Sequence, residues 1–441
     1  MVHTYQYKNY FFALDVESGS VHVLSQLAYD AIDALNAGHP LSCLTKDASN
    51  SEINEVMAEI SELKKQGTLF SEMEYTPEDI KSFDPVAKAL CLNVTTGCNL
   101  RCEYCFASAG HVPHENMSFD VSKQALEFLI ANSKDRINLE VDFFGGEPTL
   151  NFDVIKQTVA YGRKREKETG KKFRFTVTTN GYFVTDEMID FFDAEMKNIV
   201  ISMDGRKEIH DSIRITAGGG PSYDRVIENV KKIVEKRGDK EYYVRGTYTK
   251  KNLDFSKDVI AMYNAGFKEV SIEPVVTSGA LALTEEDLPK IFEEYEALTA
   301  FLEENRKEKG LHFFHFNIDL SGGPCLNKRL RGCGAGVEYF AVNPDGNLYP
   351  CHQFAGDSDF VIGNVLDGVT NLELQNKFKE AHIYTKEDCA NCAVKYYCSG
   401  GCMANAFHTN GDFNKPYHLE CEMMKKRVEL GIALSVLEDE E

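Results

Sequence analysis

The sequence predicts an α/β protein in three parts: a small α+β unit, a partly closed barrel of six strand–helix units, and a loop-rich, cysteine-rich end. Three observations carry that expectation. Residues 1 to about 80 read as a strand meander followed by two helices; strand-like and helix-like segments alternate six times between Lys88 and Lys309; past Gly310 the pattern gives way to Gly- and Cys-rich stretches. Strict β/α alternation implies parallel strands joined by right-handed crossovers. A chain of 441 residues is long enough for several cores, and the boundaries fall at 1–80, 81–310 and 311–441.

In the first unit, Tyr5–Tyr7, Tyr10–Leu14 and Val21–Leu24 are strand-like, with a Ser18–Gly19 turn between the last two. Helices follow at about Ser25–Ala37 and Ser51–Gln66. The second carries Ile53, Val56, Met57, Ile60 and Leu63 at helical spacing and stops at Gly67. Such a unit caps a neighbouring core, or it uses a free strand edge to hold an extended peptide by strand addition.

The barrel strands are expected at Ala89–Val94, Leu139–Phe144, Phe173–Thr178, Asn198–Met203, Tyr242–Tyr248 and Glu269–Pro274. The helices are expected at about Phe119–Ser133, Phe152–Glu168, Asp186–Ala194, Tyr223–Lys236, Phe255–Ala265 and Glu285–Lys309. In barrels of this kind function sits at the C-terminal ends of the strands. The end of the chain, with Ser321–Pro324 and Ser399–Cys402 as examples of its loops, needs staples, which bound clusters would supply. Val428–Glu438 reads as a final helix and the acidic residues to Glu441 as a solvated tail.

A net charge of −21 leaves no basic footprint for nucleic acid, and Lys231, Lys232, Lys236 and Arg237, at helical spacing, are expected on solvated helix faces. No stretch approaches the roughly 18 apolar residues of a membrane span, and Met1–Gln6 lacks the blocks of a signal peptide, so a cytoplasmic protein is expected. In that compartment thirteen cysteines point to metal ligation or catalysis rather than disulfides. Three lie at 98–105 and eight between 325 and 421; Cys43 and Cys91 stand apart as ordinary surface or core residues.

Cys98, Cys102 and Cys105 sit in the loop after the first barrel strand with x3 and x2 spacings. Three thiolates leave one iron of a four-iron cluster without a protein ligand, an open position for a reactant, whereas structural zinc takes four ligands. Gly145-Gly146-Glu147-Pro148 follows the second strand: glycines let a backbone approach a ligand, and a carboxylate or carbonyl receives an amine. Thr178-Thr179-Asn180-Gly181 and Ser202-Met203-Asp204-Gly205 offer hydroxyl and amide groups suited to a sugar, although each equally caps a helix or shapes a turn. Asn180 and Ser202 are the stronger choices and Asp204 reads as structural. The fork of Arg214 matches a carboxylate, or makes a salt bridge on a helix surface.

The triplet, with Tyr104 just before its last cysteine, resembles the radical S-adenosylmethionine (SAM) signature. The resemblance implies a TIM-like partial barrel, a [4Fe-4S] cluster on Cys98, Cys102 and Cys105, the methionyl amine of SAM at Gly145–Pro148, and its ribose and carboxylate near Asn180, Ser202 and Arg214. Cys333-x12-Gly346-x4-Cys351, Cys389-x2-Cys392-x5-Cys398-x3-Cys402 and Cys421 resemble the SPASM extension, which carries two auxiliary four-iron clusters. By that likeness Cys389, Cys392, Cys398 and Cys421 hold the outer cluster and Cys333, Cys351 and Cys402 the inner one. Cys325 is either its fourth ligand or leaves an iron vacant for a substrate thiolate. Zinc remains the alternative for all these cysteines, since Cys-x2-Cys pairs occur in zinc ribbons. His352 and Gln353 either face the substrate or support the ligands.

Leu14–His22 and Gly322–Gly336 extend the likeness to the SCIFF maturases, named for a six-cysteine peptide, over nearly the whole chain. That implies a winged-helix-like leader-recognition unit in residues 1–80 and three [4Fe-4S] clusters. It further implies a sactionine-type thioether between a Cys sulfur and a Thr of a Cys-rich precursor peptide, and a low-potential donor such as a flavodoxin or ferredoxin. One alternative is an anaerobic sulfatase maturase making formylglycine, for which deletion of residues 1–80 should leave turnover intact. The other is an iron–sulfur electron carrier with no SAM pocket.

Overall fold

The computed structural model describes residues 1–46, 48–73, 75–76, 86–107, 113–320 and 326–439. Strands β1 (Val2–Tyr7), β2 (Tyr10–Asp15) and β3 (Val21–Leu24) form an antiparallel meander. The helices Gln26–Asn36 and Asn50–Lys65 follow. Ser25 caps the first, and Ser49 with Glu52 closes a capping box on the second. Alternation sends Val2 and Ala13 to a small core with Ala31, Ile32, Ile60 and Leu69, while Tyr5, Tyr7, Phe12 and Leu14 join the main core of the protein. The unit therefore does cap a neighbouring core. It also keeps β3 at the edge of its sheet, with no strand beyond it among the described residues.

The central strands are β4 (Ala89–Thr95), β6 (Asn138–Gly145), β7 (Lys172–Thr179), β8 (Met196–Ser202), β10 (Tyr242–Tyr248) and β11 (Glu269–Pro274), adjacent in that order and parallel throughout. The short strands β5 (Leu100–Cys102) and β9 (Arg214–Thr216) pair with each other outside the main sheet. Helices Phe119–Asn132, Phe152–Thr169, Asp186–Glu195, Tyr223–Arg237, Ser256–Asn264 and Leu288–Lys309 lie within three residues of their expected limits.

The sheet does not close. At one edge β12 (His312–Phe313) adds to β11; at the other, β13 (Tyr339–Val342) runs parallel to β4 and leads into β14 (Asn347–Tyr349), β15 (Gly363–Asn364) and β16 (Gly368–Val369). The segment expected to be largely irregular thus extends the barrel sheet. The final helix, His418–Asp439, begins ten residues before its expected start and so carries Cys421.

Parallel strands buried on both faces read as continuous apolar runs. Here β6 and β7 alternate instead: Leu139, Val141, Phe143, Phe173, Phe175 and Val177 are buried, whereas Asp142, Phe144, Thr176 and Thr178 are partly accessible. The inner face of the sheet therefore lines a polar cavity rather than a packed core. No helix is long and apolar enough to cross a membrane among the described residues.

Candidate active site

β4 ends in the loop that carries the first three cysteines. The β5–β9 ladder fixes this loop by setting Cys102 opposite Arg214, and Arg101 Nη1 donates to the Cys98 and Leu100 carbonyls at 2.7 Å each. Burial pushes the Cys98 thiol up to about 12 and the Cys102 thiol to about 11, with the neighbouring cysteines adding to both shifts. Such thiols ionise only when a metal takes the place of their protons. Among the described residues no three His, Cys, Asp or Glu side chains converge on a point that one metal ion would fill. A polynuclear cluster, whose ligands bind different irons, needs no such convergence. Beside Cys98 lies a cleft of about 350 Å3 lined by Thr96, Gly97, Asn99, Arg101, His114 and Leu150.

The Gly145-Gly146 turn packs against this loop. Gly146 N donates to the Thr95 carbonyl and Glu147 N to the Gly97 carbonyl, both at 2.8 Å. A Cβ on Gly145 would lie 2.2 Å from the Thr95 oxygen, and one on Gly146 2.1 Å from the Gly97 oxygen. Glycine is thus required for the approach of two loops, in addition to any role toward a ligand.

Glu147 is buried and accepts from Thr149 N (3.1 Å), Thr149 Oγ1 (2.7 Å), Thr179 Oγ1 (2.7 Å) and Asn180 N (2.7 Å). Three of these donors converge on Oε1 and only Asn180 N reaches Oε2, so the carboxylate braces the ends of β6 and β7. Burial nevertheless raises its pKa. Pro148, also buried, opens the short helical turn Pro148–Asn151.

Asn180 turns toward the cysteine loop, its Nδ2 donating to Asn99 Oδ1 at 2.8 Å and lying 3.6 Å from Cys98 Sγ. Ser202 ends β8 on the inner face, in register with Arg245.

Arg214 departs from expectation. It is buried with Nε 3.0 Å from Asp204 Oδ2, an ion-pair contact poorly aligned for a hydrogen bond, and Nη1 4.0 Å from Cys102 Sγ. Its carboxylate partner is already within the protein, and the pair is interior rather than on a helix surface. The Tyr104 hydroxyl donates to both Asp204 oxygens (3.0 and 2.8 Å), and Thr247 N donates to Oδ1 at 3.0 Å. Asp204 is structural, as read from sequence, and the motif tyrosine is tied to it.

In the C-terminal segment burial pushes Cys351, Cys398, Cys402 and Cys421 up to about 12. Cys351, Cys402 and Cys333 lie close enough to oppose one another's ionisation, as do Cys389, Cys392, Cys398 and Cys421. These two groupings are the ones that the resemblance to the SPASM extension implies for the inner and outer sets. Cys325 lies outside the described residues. Sequence reasoning missed Lys386, whose buried ammonium donates to the Gly400 carbonyl at 2.7 Å and faces cysteines of both sets. Nothing in its sequence position marks it.

His352 bridges the two halves of the site. Its ring centroid lies 5.5 Å from Phe106 and 5.2 Å from Phe144, and its Nδ1 is hydrogen-bonded to the Tyr339 hydroxyl at 2.9 Å. Burial holds it neutral, at about 4. Gln353 Nε2 lies 3.7 Å from Cys402 Sγ. The residue after one inner cysteine therefore touches the loop that follows Cys105.

The inner face also gathers charges that motif reading passed over. Arg245 pairs with Glu273 at 3.3 Å, and Glu273 lies 3.5 Å from His315. Burial raises Asp142 to about 7 against a hydrogen bond from Thr178 Oγ1 at 3.2 Å. Period-two alternation along β6 was the signal that would have placed Asp142 in the cavity.

Residues 92–250 match the Radical SAM superfamily and residues 333–393 the SPASM iron-sulfur cluster-binding domain. The chain therefore carries a radical SAM domain followed by a SPASM domain, the class of radical SAM enzyme whose domains imply [4Fe-4S] clusters and SAM. The gathered, buried thiols of this structure fit that chemistry.

Among relatives, the chain is 28% identical over 342 residues to the mycofactocin maturase MftC of Mycolicibacterium smegmatis, covering 74% of this chain and 81% of that one. It is 26% identical over 336 residues to the cysteine-type anaerobic sulfatase-maturating enzyme of Clostridium novyi, covering 70% and 86%. Streptococcus suis SuiB, solved bound to its precursor peptide SuiA, shares the fold with a TM-score of 0.55 at 16% identity, over 94% of this chain and 97% of that one.

Proposed function

We propose that this protein installs an intramolecular thioether, between a Cys sulfur and a Thr, in a ribosomally made Cys-rich precursor peptide. The observation that carries the reading is the contact of Phe106, Phe144 and His352, which sets the loop after Cys105 and the end of β6 against the residue that follows Cys351. A reaction that takes hydrogen from a carbon and passes an electron on needs both halves beside one substrate. Cys98, Cys102 and Cys105 would hold one [4Fe-4S] cluster and the C-terminal cysteines two more, and with SAM the first supplies a hydrogen-abstracting radical. The chain's own residues bind and enclose: Asn180 and Ser202 face the cofactor, Tyr104 and Arg214 order the loop, and the barrel wall excludes water. The edge of β3 takes the leader as an added strand, and a flavodoxin or ferredoxin supplies electrons.

The kinship with peptide-acting maturases supports this reading. Anoxic reconstitution with SAM, reductant and a Cys-rich peptide should lower the peptide mass by two hydrogens. An unchanged peptide beside efficient SAM cleavage would remove the thioether assignment and leave the radical chemistry standing.

Formylglycine formation is the second reading, favoured by the Clostridium novyi relative. Deletion of residues 1–80 does not separate the two, because Glu17 of the deleted unit pairs with Lys395 between two outer cysteines. A sulfatase-derived Cys peptide offered in parallel does separate them. SAM cleavage in either assay rules out a simple electron carrier.

A further inference from the structure

Between β2 and β3 the chain makes a tight turn held by Asp15, which accepts from Ser18 N at 3.0 Å and from Ser71 N at 3.0 Å. Glu17 projects from that turn into the loop of the outer cysteines. Lys395 Nζ donates to Glu17 Oε1 at 2.7 Å and to the Ala390 carbonyl at 3.3 Å; the Tyr396 hydroxyl donates to Glu17 Oε2 at 2.8 Å. The Tyr384 hydroxyl lies 2.9 Å from both the Tyr396 hydroxyl and the Tyr75 carbonyl and donates its one proton between them. The side chains of Lys395 and Glu17 are only 3% and 6% exposed.

Lys395 and Tyr396 lie in the short helix Lys395–Cys398, three residues after Cys392 and ending on Cys398. A lysine buried this deeply requires a partner, and the loop supplies no carboxylate in contact with it in this structure; the N-terminal unit does. A purely surface docking contact would have left the pair exposed and weak.

We infer that Glu17 is a positioning residue for the outer cluster: the N-terminal unit locks the loop of Cys389, Cys392 and Cys398 in its ligating shape. This rests on the reading of Cys389, Cys392, Cys398 and Cys421 as one ligand set.

The test uses the full chain reconstituted with iron and sulfide, and follows iron release to a chelator together with the electron paramagnetic resonance of the reduced clusters. Glu17→Gln should speed loss of about four irons per chain, on the order of a hundredfold, since an unpaired buried ammonium strongly destabilises the loop. The signal of the outer cluster should fade while those of the others persist. Tyr396→Phe, which removes one hydrogen bond and no charge, should speed the same loss roughly tenfold. Glu17→Gln combined with Lys395→Met should restore slow release by removing both charges.

Unchanged release and signals in Glu17→Gln overturn the inference. If that variant does not fold, unchanged release in Tyr396→Phe overturns it. A wild-type protein that binds no outer cluster at all instead overturns the ligand-set reading. None of these readouts depends on which peptide the enzyme modifies.

Discussion

Cys102 and Arg214 face each other across the two-strand β5–β9 ladder, with the guanidinium Nη1 4.0 Å from the thiol sulfur and Nε on Asp204. One cysteine of the triplet, one arginine and, through Asp204, the motif tyrosine thus share a single buried charge network. Replacing Arg214 by Met leaves Asp204 buried with two neutral donors and no counter-charge. Stability should fall by about 3–5 kcal/mol, read as a lower urea midpoint. Arg214→Lys should recover only part, because a single ammonium cannot reach both Asp204 and Cys102.

Glu147 accepts four hydrogen bonds that tie the ends of β6 and β7. Glu147→Gln sets an amide NH2 against donors from Thr149, Thr179 or Asn180. The expected cost is about 2 kcal/mol, with SAM affinity falling at least as far because Asn180 loses its anchor. Thermal unfolding and calorimetric titration with SAM check the two effects separately.

Asp142 titrates in the folded state at about 7, above its ordinary value. Between that ordinary value and about 7 the folded protein holds a proton that the unfolded chain has released. Its contribution is therefore fully present at acid pH and lost as pH rises to about 7, by at most roughly 4 kcal/mol. Asp142→Asn should flatten this part of the stability–pH curve and leave the protein relatively more stable at pH 8 than at pH 5. Urea melts across that range read the slope.

Val23 on the edge strand β3 is 40% exposed. Val23→Lys should leave folding and peptide-free SAM cleavage unchanged, while KM for the precursor peptide rises roughly tenfold, since a charge on an open edge opposes strand addition. An unaltered KM would place the leader elsewhere.

The sequence by itself determined the alternation of six parallel strands, because side-chain periods of 2 and 3.6 record which face each segment buries. β10 and β11 have the bounds that pattern predicts. It also showed the cysteines clustered at 98–105 and 325–421, and resemblance to the SPASM extension implied how the second cluster divides.

Only the tertiary structure decided what those ligands stand beside. The Arg214–Asp204 pair, the His352 bridge to Phe106, Asp142 in the cavity and the Glu17–Lys395 lock join residues up to 378 positions apart. Such contacts come from how the sheet curls and which loop ends meet; no local propensity encodes them. The strands β13–β16 were illegible for a related reason: pieces of two to four residues carry too little periodicity, and their conformation is set by pairing, β13 on the edge of β4 and each later strand on the one before it.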